Sequence, residues 1–243
     1  MPTVLLLGAT SDMGYAIAKE FASHKYDVQL AARNIDQLKP FQSDIEIRYG
    51  VKCTTHVFDA LKFEGHQQFY NELQPKPEVT VYVIGYMNEN EKVINDWSES
   101  LRTINTNYTG AVSILNIIAS DYAKKGNGTI VGISSVAGNR GRQSNYIYGS
   151  AKSAFTVYLS GLRNKLYHSN VHVLTVLPGF VYTKMTEHLK LPKPLTAKPE
   201  EVASVVYNGV KKKKNIVYVK WFWRWIMFII TSIPESIFKK KKL

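Results

Sequence analysis

Residues 3–18, "TVLLLGATSDMGYAIA", join a five-residue aliphatic run to a glycine, a short polar loop and a small-residue helical stretch. A run that is apolar on consecutive rather than alternate positions reads as a strand buried on both faces. A strand ending at Gly8, a loop, and a helix from about Met13 together aim backbone N–H groups at an anion such as a diphosphate. Gly8 suits the tight turn and Gly14 the close packing of helix on sheet, with Thr10, Ser11, Asp12 and Met13 completing the loop. Asp12 stands where loops of this kind ordinarily carry glycine. Asp is a favoured N-cap, so Asp12 is expected to cap the helix with its carboxylate turned from the phosphates. Taken alone, the loop reads equally as a generic strand–helix turn.

The rest of the chain repeats the pattern. "DVQLAA", "CTTHVF", "VTVYVIG", "GTIVGIS", "VHVLTVLPG" and "NIVYV" are short apolar runs separated by helical stretches such as "GAVSILNIIASDYAKK" and "SAKSAFTVYLSGLRNKLYH". Strands alternating with helices predict an α/β fold, a doubly wound parallel sheet of about seven strands with helices on both faces. Residues 1–210 are expected to form one dinucleotide-binding and catalytic domain, followed by a basic, apolar tail at 211–243.

The net charge of +12 over 243 residues first suggests a nucleic-acid partner. Its location argues otherwise. Residues 211–243 hold ten Lys/Arg and the single acid Glu235, which leaves +3 for the remainder. An excess confined to a tail disfavours a nucleic-acid face. The one cysteine, Cys53, excludes an intramolecular disulfide and fits a reducing compartment. "MPTVLLLG" has no basic lead-in and too short an apolar run for a signal peptide, so a cytoplasmic location is expected. No metal-ligand pattern stands out.

No acid closes the second strand, where a ribose-binding carboxylate would sit. "VQLAARN" puts Arg33 there, suited to a 2′-phosphate and hence to NADP(H) over NAD(H); a solvent-facing arginine is the alternative. Asp59, after the third strand, is placed either to accept from an adenine amino group or simply to make a turn.

"GISSVAGNRGRQSNYIYGSAKSA" carries the chemistry. Tyr148 and Lys152 are four apart at the start of a helical run and project from one face. A buried ammonium beside the phenol is expected to lower the phenol's pKa, making Tyr148 an acid/base for carbonyl reduction. Ser135 is placed to hydrogen-bond the substrate oxygen.

With these motifs the chain resembles the short-chain dehydrogenase/reductase family over essentially residues 1–210. The Ser–Tyr spacing is the family's, and "NTNYTGAV" puts Asn107 in its Asn-x-x-Gly position. The resemblance implies a Rossmann-type fold and an NAD(P)-dependent oxidoreductase, commonly a homo-oligomer. It implies that Tyr148 is the acid/base, Ser135 orients the carbonyl, Lys152 holds the ribose hydroxyls and Asn107 supports a water relay. It places "PGFVYT" beyond the sixth strand, so that Pro178, Gly179, Val181 and Thr183 bind cofactor, with Val181 and Thr183 facing the nicotinamide amide. Two departures stand out: Asp12 for glycine, and "YVIG", ending at Gly85, for the usual Asn-Asn-Ala-Gly. "LLLGATSDMG", "NRGRQSNYIYGSAK", "PGFVYTKMTEHLK", "PLTAKPEEVA" and "IPESIFKK" are similar to family members that reduce a 2-keto sugar carried on a polyprenyl phosphate.

In the tail, "WFWRWIMFIITSI" at 221–233 is too short to span a bilayer. On one continuous helix Lys220, Arg224, Thr231 and Glu235 would share a side opposite Trp and Ile. Lys211–Lys214 and Lys239–Lys242 flank it. An interfacial anchor on an anionic membrane face and an oligomer contact both fit. Arg140 and Arg142, before the Tyr148 helix, read either as contacts to a lipid phosphate or as a solvated loop. Three functions follow: a reductase of a ketone, small or lipid-linked; a generic soluble ketone or 3-oxoacyl reductase; and a non-catalytic dinucleotide-binding scaffold.

Overall fold

A computed structural model describes residues 1–187 and 191–241. Strands are β1 (Thr3–Leu7), β2 (Asp27–Ala32), β3 (Cys53–Val57), β4 (Val79–Tyr82), β5 (Thr129–Ile133), β6 (His172–Leu177), β7 (Phe180–Val181), β8 (Thr196–Ala197) and β9 (Ile216–Tyr218). The helices that position the site are α1 (Asp12–Ser23), α2 (Lys39–Tyr49), α3 (His66–Glu72), α4 (Asn90–Asn95), α5 (Trp97–Ile104), α6 (Gly110–Lys125), α7 (Tyr146–Leu166), α8 (Pro199–Lys211), α9 (Phe222–Ser232) and α10 (Glu235–Phe238).

Seven strands form one sheet in the order β3-β2-β1-β4-β5-β6-β9, every pair parallel, as the apolar runs predict. The short strands β7 and β8 pair separately. The consecutive apolar residues of β1 are explained by two cores. Val4 and Leu6 pack with α1, α2 and α8 on one face, while Leu5 and Leu7 pack with α3, α6 and α7 on the other. Burying each Leu or Val stabilises the fold by roughly 1.5–3 kcal/mol, so both faces hold the strand in register.

The strand order reverses between β1 and β4, which opens a crevice beyond their carboxyl ends. β9 lies within the tail and edges the sheet beside β6, with Thr175 opposite Ile216. Cys53 is buried and free. Among the described residues no helix is long and apolar enough to cross a membrane. His188, Leu189 and Lys190 of "PGFVYTKMTEHLK", and Lys242 of the last lysine cluster, lie outside the described residues.

Candidate active site

A cleft of about 310 Å³ occupies the crevice at the switch point. Gly8, Thr10, Ser11, Asp12, Met13, Arg33, Asp59, Gly85, Tyr148, Lys152 and Thr183 all line it. Residues from six separate stretches of sequence thus meet at one edge of the sheet. Gly14, Asn107, Ser135, Pro178, Gly179 and Val181 are not among the residues that line it.

Gly8 has φ +105°, and a Cβ there would lie 2.8 Å from Ile84 Cγ1. Only glycine fits, because the turn leaves β1 directly against the β4 exit segment. The helix start differs from expectation. The N-cap is Ser11, whose hydroxyl accepts from the Gly14 N–H at 3.0 Å and donates to the Gly8 carbonyl at 2.9 Å. Asp12 is the first helical residue, and its carboxylate accepts from the Lys184 backbone N–H at 2.8 Å. The serine hydroxyl already occupies the capping position, which leaves Asp12 to reach across to the segment after β7.

Arg33 is exposed at the end of β2 and faces the cleft. Asp59 serves both of its expected readings in part: it lines the cleft, and its carboxylate accepts from the Leu61 N–H at 3.0 Å to close a turn.

Tyr148 and Lys152 lie one turn apart on α7, which begins at Tyr146 and so takes both into its first two turns. Lys152 is 3% exposed, with Nζ donating to the Ile133 carbonyl at 3.1 Å and standing 5.8 Å from the Tyr148 ring centre. The phenol is raised rather than lowered. Burial pushes Tyr148 up to about 12, against a smaller lowering by the Ser135 hydrogen bond. Burial also pushes Lys152 down to about 8. The ammonium is turned to a carbonyl rather than to the phenol, so desolvation dominates both groups. Ser135, in the bend after β5, accepts from the Ala137 N–H at 3.1 Å and keeps its hydroxyl beside the phenol.

Asn107 is fully buried in a π-helical turn, Asn105–Thr109, between α5 and α6. Its amide donates to the carbonyls of Tyr86 at 2.6 Å and Thr103 at 2.8 Å, and its oxygen accepts from the Tyr86 N–H at 3.2 Å. One residue thereby braces the chain leaving β4, where "YVIG" lacks the usual asparagines. All three of these amide contacts go to backbone. A Cβ on Gly85 would lie 3.4 Å from Asn107 Oδ1 and 3.6 Å from Lys152 Nζ, so the three groups converge.

Beyond β6, the Val181 side chain is buried in the core that also holds Ala197, Val202 and Ala203, and Val181 pairs with Ala197 of β8. Thr183 remains on the cleft, in a turn closed by Thr186. Gly179 faces the tail: Trp223 of α9 packs flat against it, and a Cβ there would fall inside the indole.

The tail is therefore no free appendage. Trp223 and Met227 are buried against Val136 and Leu177. Lys220 (φ +61°) precedes the helix and Pro234 separates α9 from α10, so the single helical face joining Lys220 to Glu235 does not form. Arg140, read from sequence as a phosphate ligand or a solvated loop residue, is neither. Its guanidinium donates to the carbonyls of Ile230 at 2.7 Å and Ile233 at 2.6 Å and pairs with Glu235 at 2.9 Å. It closes the C-terminus of α9, whose last carbonyls otherwise lack partners. Arg142 likewise turns to α9, donating to Met227 Sδ at 3.4 Å, with burial lowering its pKa.

Several lining residues were not singled out from the sequence. Ile84, Ala60 and Ser134 could have been found as positions just past the ends of β4, β3 and β5. Arg102 could not: it reaches the cleft from α5, its guanidinium 4.1 Å from the Tyr86 ring centre. Lys184 and Met185 arrive only through the fold of the segment after β7.

The sequence profile described as short chain dehydrogenase matches residues 2–193. An uncharacterized oxidoreductase of Mycobacterium tuberculosis is 30% identical over 240 residues, covering 98% of this chain and 96% of the relative. An NADP-dependent 3-hydroxy acid dehydrogenase of Schizosaccharomyces pombe is 26% identical over 233 residues, covering 88% and 89%. A short-chain dehydrogenase from Sphingobium yanoikuyae, solved in complex with NADPH, superposes with a TM-score of 0.84 at 22% identity, covering 97% and 98%. At that identity the likeness concerns the fold.

Proposed function

The chain belongs to the short chain dehydrogenase family, and from that premise we propose that it is an NADP(H)-preferring reductase interconverting a ketone and a secondary alcohol. The observation that carries this reading is the meeting of Tyr148, Ser135 and Lys152 beside the Gly8 turn. A dinucleotide fits the residues present: the Gly8 turn excludes a side chain, and Arg33 ends β2 without an acid in its place. The cofactor named in the Schizosaccharomyces relative's description supports the same preference.

A nicotinamide dinucleotide held there supplies the hydride. The loop from Thr10 to Gly14 and the start of α1 would hold the diphosphate, Arg33 the 2′-phosphate and Lys152 the ribose hydroxyls. Ser135 orients the ketone oxygen. Tyr148 donates its O–H proton to that oxygen as negative charge develops on it. A phenol held near 12 stays protonated at neutral pH, which suits an acid in the reductive direction. The catalytic and dinucleotide groups all lie within residues 1–210, with the tail bracing them from Gly179.

A finer reading of the substrate is a keto sugar on a polyprenyl phosphate. The exposed apolar side of α9, next to the "PGFVYT" segment, supports it; the names of the relatives do not bear on it. The rival readings are a soluble ketone or 3-oxoacyl reductase and a non-catalytic scaffold. NADPH consumption by the purified protein against simple ketones, 3-oxoacyl thioesters and polyprenyl-phosphate keto sugars separates them. Turnover with one class, lowered at least about a hundredfold in Tyr148→Phe with NADPH affinity retained, is the expected result. NADPH binding without turnover of any ketone favours the scaffold, and undiminished turnover in Tyr148→Phe ends the mechanism.

A further inference from the structure

α9 is apolar on two opposite sides. Trp223 and Met227 face the body of the protein, against Gly179, Val136 and Leu177. Trp221 (75% exposed), Trp225 (56%), Phe228 (64%) and Ile229 (64%) face away from it. At 100° per residue these four positions fall within about a third of the helix circumference, so they form one continuous outer strip. Isolated exposed apolar residues are ordinary on protein surfaces, but three large aromatics and an isoleucine on one helix side are not.

The strip is held rigidly. The Trp223 indole N–H donates to the Leu195 carbonyl at 3.2 Å, and Arg140 closes the other end through Ile230 and Ile233. The guanidinium of Arg140 also lies 3.7 Å from the Phe238 ring centre, which fixes α10 beside the end of α9. Lys239, Lys240 and Lys241 follow directly and are all exposed, as is Arg224 on the helix itself. An apolar strip therefore ends in a fixed cluster of like charge.

We infer that the outer side of α9 is a docking surface for an anionic membrane. Charge decides between this partner and a second copy of the chain. Residues 211–243 carry ten cations and one acid, Glu235, and that acid is already paired with Arg140. Two tails meeting face to face would bring cations together with no free carboxylate between them. Anionic headgroups provide the missing counter-charge, while Trp225, Phe228 and Ile229 enter the headgroup–acyl boundary. The eleven residues of α9 are too few to span, so the helix lies in the plane of the surface. Because Trp223 rests on Gly179, docking holds the cleft at a fixed place relative to the membrane.

Vesicle flotation of the full chain tests this independently of any substrate. Phosphatidylcholine vesicles containing phosphatidylglycerol should carry the protein upward, and pure phosphatidylcholine vesicles should not. Binding should vanish at about 1 M salt, where the screening length is about 3 Å. A Trp225→Ser/Phe228→Ser/Ile229→Ser variant changes only exposed side chains and should lose vesicle affinity at least about tenfold while keeping NADPH affinity. Lys239→Gln/Lys240→Gln/Lys241→Gln should weaken binding to the anionic vesicles. Wild-type protein that stays unbound at low salt overturns the inference, as does a serine variant that floats like wild type. A wild-type dimer that becomes monomeric in the serine variant, with neither binding vesicles, assigns the strip to a second copy.

Discussion

The carboxylate of Asp12 accepts a 2.8 Å hydrogen bond from the backbone N–H of Lys184, across a separation of 172 residues. One partner opens α1 in the loop after β1; the other follows β7. Both line the cleft. The acid that interrupts a glycine-type loop is thus an anchor for the segment on the opposite wall. Its place in the first turn of α1 also suits it, since the helix dipole favours negative charge there.

Asp12→Ala should release that wall. A hydrogen bond to a charged acceptor contributes about 1–1.5 kcal/mol where it is partly exposed, so the Lys184 amide should exchange with solvent roughly tenfold faster. Asp12→Asn keeps an acceptor and removes the charge from the loop proposed to hold the diphosphate, and should bind NADPH at least as tightly as wild type. Amide exchange by mass spectrometry and NADPH titration read the two effects separately. Unchanged exchange at Lys184 in the alanine variant would remove the anchor role.

Arg33 should set the cofactor preference. It faces the cleft from the end of β2 and has no acid beside it to favour an unphosphorylated ribose. Arg33→Ala should shrink the NADPH-over-NADH preference by about 1–3 kcal/mol, a charge-assisted hydrogen bond's contribution. Equal affinity of wild type for both dinucleotides contradicts the assignment.

Lys152 is costly for folding. Its pKa is lowered to about 8 in the fold by burial, below its ordinary value of 10.5. The fold therefore bears the full cost of the buried ammonium below pH 8. That cost fades as pH rises from about 8 toward the unfolded value, because the unfolded chain then binds more protons than the native one. Lys152→Met should gain about 1–3 kcal/mol at neutral pH and progressively less above it. Urea unfolding at several pH values measures this, and the variant should lose turnover. A gain that grows with pH would mean the lysine is not buried as a cation.

Arg140→Ala should loosen the tail. It removes donors to the carbonyls of Ile230 and Ile233 and the partner of Glu235, all from a side chain only 13% exposed. A cost of roughly 2–3 kcal/mol follows from leaving those carbonyls without a charged donor. Limited proteolysis should show new cleavage between α9 and α10, and NADPH affinity should fall less than stability does. Wild-type resistance to protease would show that α9 is held without it.

The seven sheet strands, their parallel order of folding units and the Tyr148–Lys152 pair were legible in the chain because each depends on local pattern. Consecutive apolar residues demand burial on both faces, and a spacing of four puts two side chains on one helical side. The glycine at position 8 was legible for a similar reason, since a strand-to-helix turn needs a backbone that few residues adopt. Groups whose role is set by a distant partner were not. Asp12 met Lys184, Arg140 met the end of α9, and Asn107 took over the bracing of "YVIG" only once the sheet had brought those segments together. The pKa of Tyr148 belongs with them. Sequence spacing placed an ammonium near the phenol, but the fold turned that ammonium to the Ile133 carbonyl, and desolvation, which depends on everything packed around a group, outweighed it.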